Sequence, residues 1–432
     1  MNVAIVGYGV EGVASAKHWQ ALGAHVTICD QSEALELPSE YHRQLGTAYL
    51  NSLDQFDIIV RSAGIHPRLI LAENPGVKDK ITTSVQEFFE KCPSKNTIGV
   101  TGTKGKGTTS TLIAKMLEKS GKKVHLGGNI GIAPLELLPG IQADDYVVLE
   151  LSSFQLEDFK GPSPHIAVCV MVAPEHLNWH ADMDEYLAAK SQLFAHQSSD
   201  DTAIYFEDDE FSTAIAAHSP GKRIPYYQLP GALVDNDTIT IDGTTICSVD
   251  DVALKGRHNW QNICAAVTAV WQVTKDQAAI ASVISSFTGL EHRLELVRTL
   301  QGVSYYDDSF ATTPETATAA LEAFSEPKVV ILGGSDKGVS LEPLAEAVTT
   351  NNVKHVLAIG DMGPVIADYL RQRNYTAITE GLTTMVDMVQ AAQKLAKDGD
   401  VVLLSTGCAS FGLFKDYKDR GNQFKAAVQA LV

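Results

Sequence analysis

Lys106 stands in the run Gly102-Thr103-Lys104-Gly105-Lys106-Gly107-Thr108-Thr109, whose residue types suit the holding of a polyphosphate. Small residues let consecutive backbone N–H groups turn inward on phosphate oxygens, a helix N-terminus adds partial positive charge, and one lysine neutralises the β- and γ-phosphates. Lys106 is that lysine. A strict phosphate-loop pattern would put Gly at Val100 and Ser or Thr at Gly107, so the hydroxyl for Mg2+ falls to Thr108. The apolar lead-in before the run predicts a strand. Residues 110–119, with Leu112, Ile113, Met116 and Leu117 on one face, predict the helix after it.

Other candidates gain meaning from their position relative to this loop. Residues 146–149 form an apolar strand that delivers Glu150, and a carboxylate at a strand end after a phosphate loop is where such enzymes place a second Mg2+ contact. A strand at 165–172 leads to His176. Alone, His176 is an ordinary loop histidine, but two parallel strand ends carrying Glu150 and His176 would face one crevice. Lys190, on a helix starting near Asp184, reads by itself as a solvated lysine. Asn259, at the entry to an alanine-rich helix over 263–271, reads equally as a cap.

The elements that must position these groups number many for a chain of 432 residues, which suggests about three domains at roughly 150 residues each. The formal charge of −18 and the 45% apolar fraction describe an acidic chain whose average surface repels nucleic acid and anionic membrane, so any phosphate site is local. Apolar runs fall well short of the ~20 residues of a membrane span, and Met1 leads straight into a strand without a signal-peptide pattern, so a cytoplasmic location is expected. The six cysteines have no metal-like spacing and read as reduced thiols.

Residues 2–6 form a strand followed by Gly7-Tyr8-Gly9-Val10-Glu11-Gly12, a helical stretch to Leu22 and a second strand ending at Asp30. This is a GxGxxG unit of the Rossmann type, which favours a nucleotide-diphosphate ligand, although nothing downstream supplies hydride chemistry. A strand over 56–60, the turn Ser62-Ala63-Gly64 and a helix over 84–91 complete the first domain, 1–92. The central P-loop domain, 93–290, holds the candidates above and a hairpin around Asp242-Gly243. The third domain, 291–432, opens with a charged linker, Glu291 to Glu295. It continues with βα units whose strands, 303–306, 328–332, 356–359 and 401–404, end in small or polar residues, as the ligand-facing rim of a parallel sheet does. The fold class is therefore α/β in three domains, Rossmann-like, P-loop mononucleotide-binding and again Rossmann-like.

Assembled in this order, the residues resemble the Mur ligase family of ATP-dependent amide-forming enzymes over essentially the whole chain. The run Glu150-Leu151-Ser152-Ser153-Phe154-Gln155-Leu156-Glu157 is the wording of the D-glutamate-adding branch. Gly127-Gly128-Asn129-Ile130-Gly131, Gly256-Arg257-His258-Asn259 with Asn262, His292-Arg293, and Cys408-Ala409-Ser410 with Phe414-Lys415 and Arg420-Gly421 follow in the family's order. The resemblance implies ATP and two Mg2+ ions as cofactors, with the loop from Gly102 to Thr109 on the phosphates, Asn259 and Asn262 by the adenine, Arg293 by the transferred phosphate and Asp308 by the ribose. It implies Thr108, Glu150, His176 and a carbamylated Lys190 as metal ligands. It places UDP-N-acetylmuramoyl-L-alanine against Val10, Glu11, Asp30, Ser62, Gly64, Asn129, Ser152 and Gln155, and glutamate against Thr312, Lys337, Ser410 and Tyr417. A monomer is expected, with no nucleic-acid partner and no membrane span. Phe310 stands where many D-glutamate ligases carry lysine, Ser32 where an arginine is frequent, and Ala173-Pro174-Glu175 where a more polar run precedes the histidine.

The implied chemistry is activation of a carboxylate as an acyl phosphate, with Lys106, Arg293 and Mg2+ neutralising the transferring group, followed by attack of an amino-acid amine. The alternatives are a related ligase adding L-glutamate or another amino acid, and a folylpolyglutamate-synthetase-like enzyme. The separate N-terminal GxGxxG unit argues against the folate reading.

Overall fold

Alternating apolar strands and amphipathic helices leave this chain no choice but layered α/β packing, and four sheets form among the described residues. The computed structural model describes residues 1–432 apart from Lys255, Lys337, Gly338 and the side chain of His258. The chain divides into two compact units, Met1–Phe287 and Thr288–Val432.

The first unit holds three sheets. Strands β1 (Asn2–Val6), β2 (His25–Asp30), β3 (His42–Leu45), β4 (Ile58–Arg61) and β5 (Ile81–Thr83) form a parallel sheet in the order β3-β2-β1-β4-β5. The order reverses beside β1, which puts the glycine turn after β1 and the turn after β4 at a switch point, where open α/β sheets bind ligands. A second parallel sheet has the order β11-β10-β9-β6-β8-β7, from β6 (Thr97–Thr101), β7 (Val124–Gly128), β8 (Tyr146–Glu150), β9 (Ile166–Cys169), β10 (Thr202–Phe206) and β11 (Lys222–Tyr226). Strand β6 lies between β8 and β9, with Val100 opposite Glu150 and Thr101 opposite Cys169. The ends that carry Glu150 and lead to His176 therefore flank the strand that enters the glycine loop. A small antiparallel sheet, β12 (Leu233–Asp235), β13 (Thr238–Ile241) and β14 (Thr244–Ser248), contains the hairpin expected around Asp242-Gly243, with both residues at positive φ.

One apolar core runs from the first sheet's helices into the second sheet's. Ala14, Val85, Phe88 and Phe89 pack with Leu135, Leu149, Leu151 and Phe159. Burial of aromatic side chains at about 25 cal/mol per Å2 makes this seam a stabilising one.

In the second unit, β15 (Glu295–Leu300), β16 (Val303–Asp307), β17 (Lys328–Gly333), β18 (Val353–Ile359), β19 (Ile378–Thr379) and β20 (Val401–Leu404) have the order β15-β16-β20-β17-β18-β19. Strand β15 runs antiparallel and the others parallel, with apolar clusters on both faces. The charged linker expected from Glu291 to Glu295 passes directly into β15, which the sequence reading did not anticipate. Two helices also begin earlier than expected, at Lys106 and at His258. Among the described residues no helix is long and apolar enough to cross a membrane.

Candidate active site

The glycine loop takes its shape from neighbours that leave no room for side chains. Gly102 and Gly105 have φ of +138° and +93°, and a Cβ at Gly105 would fall 2.1 Å from Asn262 Oδ1. Only glycine serves at both positions. The helix Lys106–Lys119 starts directly after Gly105, so its first N–H groups, which have no intrahelical acceptors, open onto the loop. Thr108 is half-buried in that first turn, Gly107 is buried and Lys104 is exposed. Thr109 is buried with a hydroxyl that meets no hydrogen-bond partner among the described residues. The helix His258–Trp271 brings both asparagines to this place, with Asn262 Nδ2 donating to Asn259 Oδ1 at 2.9 Å.

Two lysines converge on one carbonyl. Lys106 Nζ donates to Gly102 O at 3.1 Å and to Thr103 O at 2.8 Å, and Lys190 Nζ donates to the same Gly102 O at 2.7 Å. Lys190 is 1% exposed on the helix Met183–Ala195 and lies 4.4 Å from the centre of the Tyr186 ring. Burial, with the charge of Lys106 as the next cause, pushes its ammonium down to about 7. Thr103 Oγ1 is fixed by the Tyr186 hydroxyl at 2.8 Å and by Ala173 N at 3.0 Å, which ties the loop to the segment before His176.

Glu150 is buried at the end of β8, and Asn129 Nδ2 donates to its Oε1 at 2.8 Å. His176 has φ of +60°, and burial, then the charges of Lys106 and Lys190 against that of Glu175, leaves its imidazole below its ordinary value. It is therefore neutral near pH 7, as a metal-ligating histidine must be. Lys190 feels the charges of Lys106, Glu175 and Glu150, so the structure assembles one cluster from residues far apart in sequence. The donor set of a carboxylate, a neutral imidazole, a hydroxyl and a lysine able to lose its proton fits a divalent cation beside bound polyphosphate.

The candidate nucleotide contacts of the first sheet gather at its switch point, and Asn129, Ser152 and Gln155 follow strands of the second sheet. Asp30 Oδ2 accepts from Tyr8 N at 2.8 Å, so this carboxylate braces the glycine turn. Val10 is 71% exposed at the start of the helix Val10–Ala21. Glu11 accepts from Gln155 Nε2 at 2.5 Å and from Ala63 N at 3.4 Å, and Ser62 Oγ donates to Gly7 O at 2.6 Å. Gly64 and Asn129 are exposed, while Ser152 caps the short helix Ser153–Leu156 reciprocally with Gln155.

In the second unit, His292 is buried with φ of +61°, and its Nδ1 lies 2.7 Å from Asp307 Oδ2. A Cβ on Gly421 would fall 2.2 Å from that nitrogen, which is why the helix Tyr417–Gln429 has glycine there. Arg293 follows, with its guanidinium 4.9 Å from the centre of the Phe310 ring, and Tyr417 meets that ring edge-on at 5.4 Å. Asp308 is buried and accepts from Ser405 Oγ at 2.7 Å; burial pushes its carboxyl up to about 7. Thr312 lines a small cleft with Thr313, Ser335, Asp336, Gly407 and Cys408. Ser410 is buried beyond Cys408. Lys337 lies outside the described residues.

Sequence reasoning missed several residues that organise these groups. Arg61 is 0% exposed, and His180 and Tyr186 are buried; Arg420, read in sequence only as part of a family motif, is 0% exposed as well. Arg420 donates to Ser309 Oγ and O at 2.9 and 2.8 Å and to Cys408 O at 3.3 Å, pinning together the loops after β16 and β20. The signal for Arg61 was an arginine closing an apolar strand, where a charge needs a buried partner.

Residues 100–270 match the family model described as the Mur ligase middle domain, and residues 292–408 match that described as the Mur ligase, glutamate ligase domain. The UDP-N-acetylmuramoylalanine–D-glutamate ligase of Clostridium tetani is 35% identical to this chain, covering 100% of it and 97% of the relative. The enzyme of the same name from Symbiobacterium thermophilum is 37% identical, covering 100% of this chain and 98% of its own. Among solved structures, the UDP-N-acetylmuramate-alanine ligase MurC of Thermotoga maritima shares the fold, with a TM-score of 0.58 at 16% identity and coverage of 100% and 99%. The MurF ligase of Thermotoga maritima in complex with ADP does so with a TM-score of 0.54 at 16% identity, covering 99% of this chain and 94% of that one.

Proposed function

This chain belongs to the Mur ligase family, and from that premise we propose that it joins D-glutamate to UDP-N-acetylmuramoyl-L-alanine at the expense of ATP. The observation that carries the reading is the convergence of Lys106 and Lys190 on Gly102 O, next to Glu150 and His176. Full-length likeness to ligases bearing that activity in their names supports the choice of substrates.

The glycine loop receives the ATP phosphates, with Lys106 turning from the loop carbonyls to phosphate oxygens, and Asn259 and Asn262 border the adenine side. Thr108, Glu150, His176 and Lys190 would hold Mg2+, which supplies charge neutralisation to the phosphates when bound. The neutral Lys190 amine attacks CO2, forming an N–C bond and releasing one proton, and the lysine becomes an anion suited to a metal site. The substrate carboxylate attacks the γ-phosphorus, ADP leaves, and an acyl phosphate forms. The amine of glutamate then attacks the acyl carbon, and the tetrahedral species collapses with loss of phosphate. Arg293 offsets charge on the transferred group, Asp308 meets the ribose, and Thr312, Lys337, Ser410 and Tyr417 receive glutamate. Three ligand-binding modules, 1–92, 93–290 and 291–432, divide the three substrates among them.

Labelling the carboxylate of UDP-N-acetylmuramoyl-L-alanine with 18O tests the reaction class. One labelled oxygen in the released phosphate is expected, and label retained wholly in the organic product would rule out the acyl phosphate.

A further inference from the structure

Arg61 closes β4 and is 0% exposed, a costly position for a charge unless each donor finds an acceptor. Its Nε donates to Asp158 Oδ2 at 2.7 Å. On one side, Nη1 donates to Ile65 O at 2.9 Å and, less closely, to Ser62 O at 3.3 Å and Ala63 O at 3.5 Å. On the other, Nη2 donates to Phe154 O at 2.9 Å.

The carbonyls it grips belong to two segments with separate tasks. The turn at residues 62–65 rests on the first glycine loop through Ser62 Oγ and Gly7 O, at 2.6 Å. Phe154 lies in the short helix that follows Glu150 and carries Gln155, whose side chain reaches Glu11 at 2.5 Å. An ion pair with Asp158 would satisfy the charge alone, yet the fork is spent on backbone from both segments. A rigid planar donor array of this kind fixes relative position, which a lysine cannot do.

We infer that Arg61 is a positioning residue for the nucleotide substrate, setting the spacing between the turn at residues 62–65 and the segment that begins at Glu150. It touches no reacting atom. A substrate anchored at its nucleotide end and activated at its carboxylate end needs that spacing held, because small misplacements of bound reactants carry large penalties. The inference rests on the function proposed above.

The test compares Arg61→Lys with Gln86→Ala. Gln86 bridges the same two layers, accepting from Lys160 N at 2.8 Å and donating to Gly161 O, away from the candidate site. In Arg61→Lys the KM for UDP-N-acetylmuramoyl-L-alanine is expected to rise about tenfold, with those for ATP and glutamate within about twofold of wild type. Gln86→Ala is expected to lower Tm and leave all three unchanged. Should Arg61→Lys fail to fold, Asp158→Asn is examined by calorimetric titration with UDP-N-acetylmuramoyl-L-alanine alone, and several-fold weaker binding is expected. Wild-type binding with unchanged affinity in the variants would overturn the inference while leaving the proposed reaction standing. Absence of wild-type binding would overturn both.

Discussion

Lys106 and Lys190 donate to the same oxygen, Gly102 O, at 3.1 and 2.7 Å. Burial, and next to it the repulsion of the neighbouring Lys106 ammonium, pushes Lys190 down to about 7. Lys190 can thus supply a neutral amine beside the lysine that faces the glycine loop.

The first expectation concerns pH. A lysine whose folded value lies below its ordinary ~10.4 is disfavoured as an ammonium, so its contribution to stability rises with pH between about 7 and that value and is least at acid pH. Carbamate formation, which needs the free amine, falls off below pH 7. NMR with 13C-bicarbonate is expected to show a carbamate signal at pH 8 that fades toward pH 6, together with activity. Lys190→Ala should lose most activity and regain part of it with short carboxylates. Full activity at pH 8 without a carbamate signal would refute this role.

Replacement of Lys106 by Ala should lower kcat by about 10²–10³-fold, the scale of losing one pre-organised charge-stabilising donor. It should also raise the Lys190 value, because the like charge is gone. Circular dichroism checks the fold and 13C titration the lysine. Wild-type turnover in a folded variant would remove the glycine loop from the mechanism.

Glu157 Oε2 and His180 Nδ1 lie 3.6 Å apart, buried and without hydrogen-bond partners among the described residues. Burial, with Glu185 and Asp158 nearby, raises the Glu157 carboxyl to about 7, and burial lowers His180 to about 4. The folded state therefore holds its proton across the window from an ordinary glutamate value of about 4.3 up to 7, and stability is lost as pH rises through it. Glu157→Gln should melt higher than wild type at pH 8 and near wild type at pH 5. A Tm difference independent of pH would contradict the assignment.

Phe310 gives the Arg293 guanidinium an aromatic face at 4.9 Å. Loss of that contact in Phe310→Ala should cost roughly 0.5–1 kcal/mol of support, a two- to fivefold fall in kcat, while Phe310→Tyr retains it. Steady-state kinetics decide; equal losses in both variants would show that ring stacking is not what matters.

Much of this arrangement was legible in sequence where a pattern had one physical meaning. The helix Ser84–Lys91 and strand Val401–Leu404 match expectation because clean periodicity and, for the helix, the Thr83 cap mark their limits. Helix starts at Lys106 and His258 were placed late because Gly, Thr, His and Asn have weak helix propensity, and loop packing overrides it. Strand β15 was hidden by the charges of its flank and by its place on a sheet edge. Lys190 was legible only through resemblance, since spacing on a helix cannot say that a lysine faces a carbonyl from a loop 88 positions away. Arg61 went unnoticed for the same reason: apart from Asp158 its partners are backbone oxygens, which leave no mark in sequence, and Arg420 was legible only as part of a family motif.

The central claim is tested most directly by incubating the purified protein with ATP, Mg2+ and UDP-N-acetylmuramoyl-L-alanine, with D-glutamate, L-glutamate or no amino acid, and following phosphate release and product mass together. One phosphate for each D-glutamyl adduct is expected, with D-glutamate preferred over L-glutamate. Phosphate release without an adduct, or an adduct formed only with a different amino acid, would contradict it.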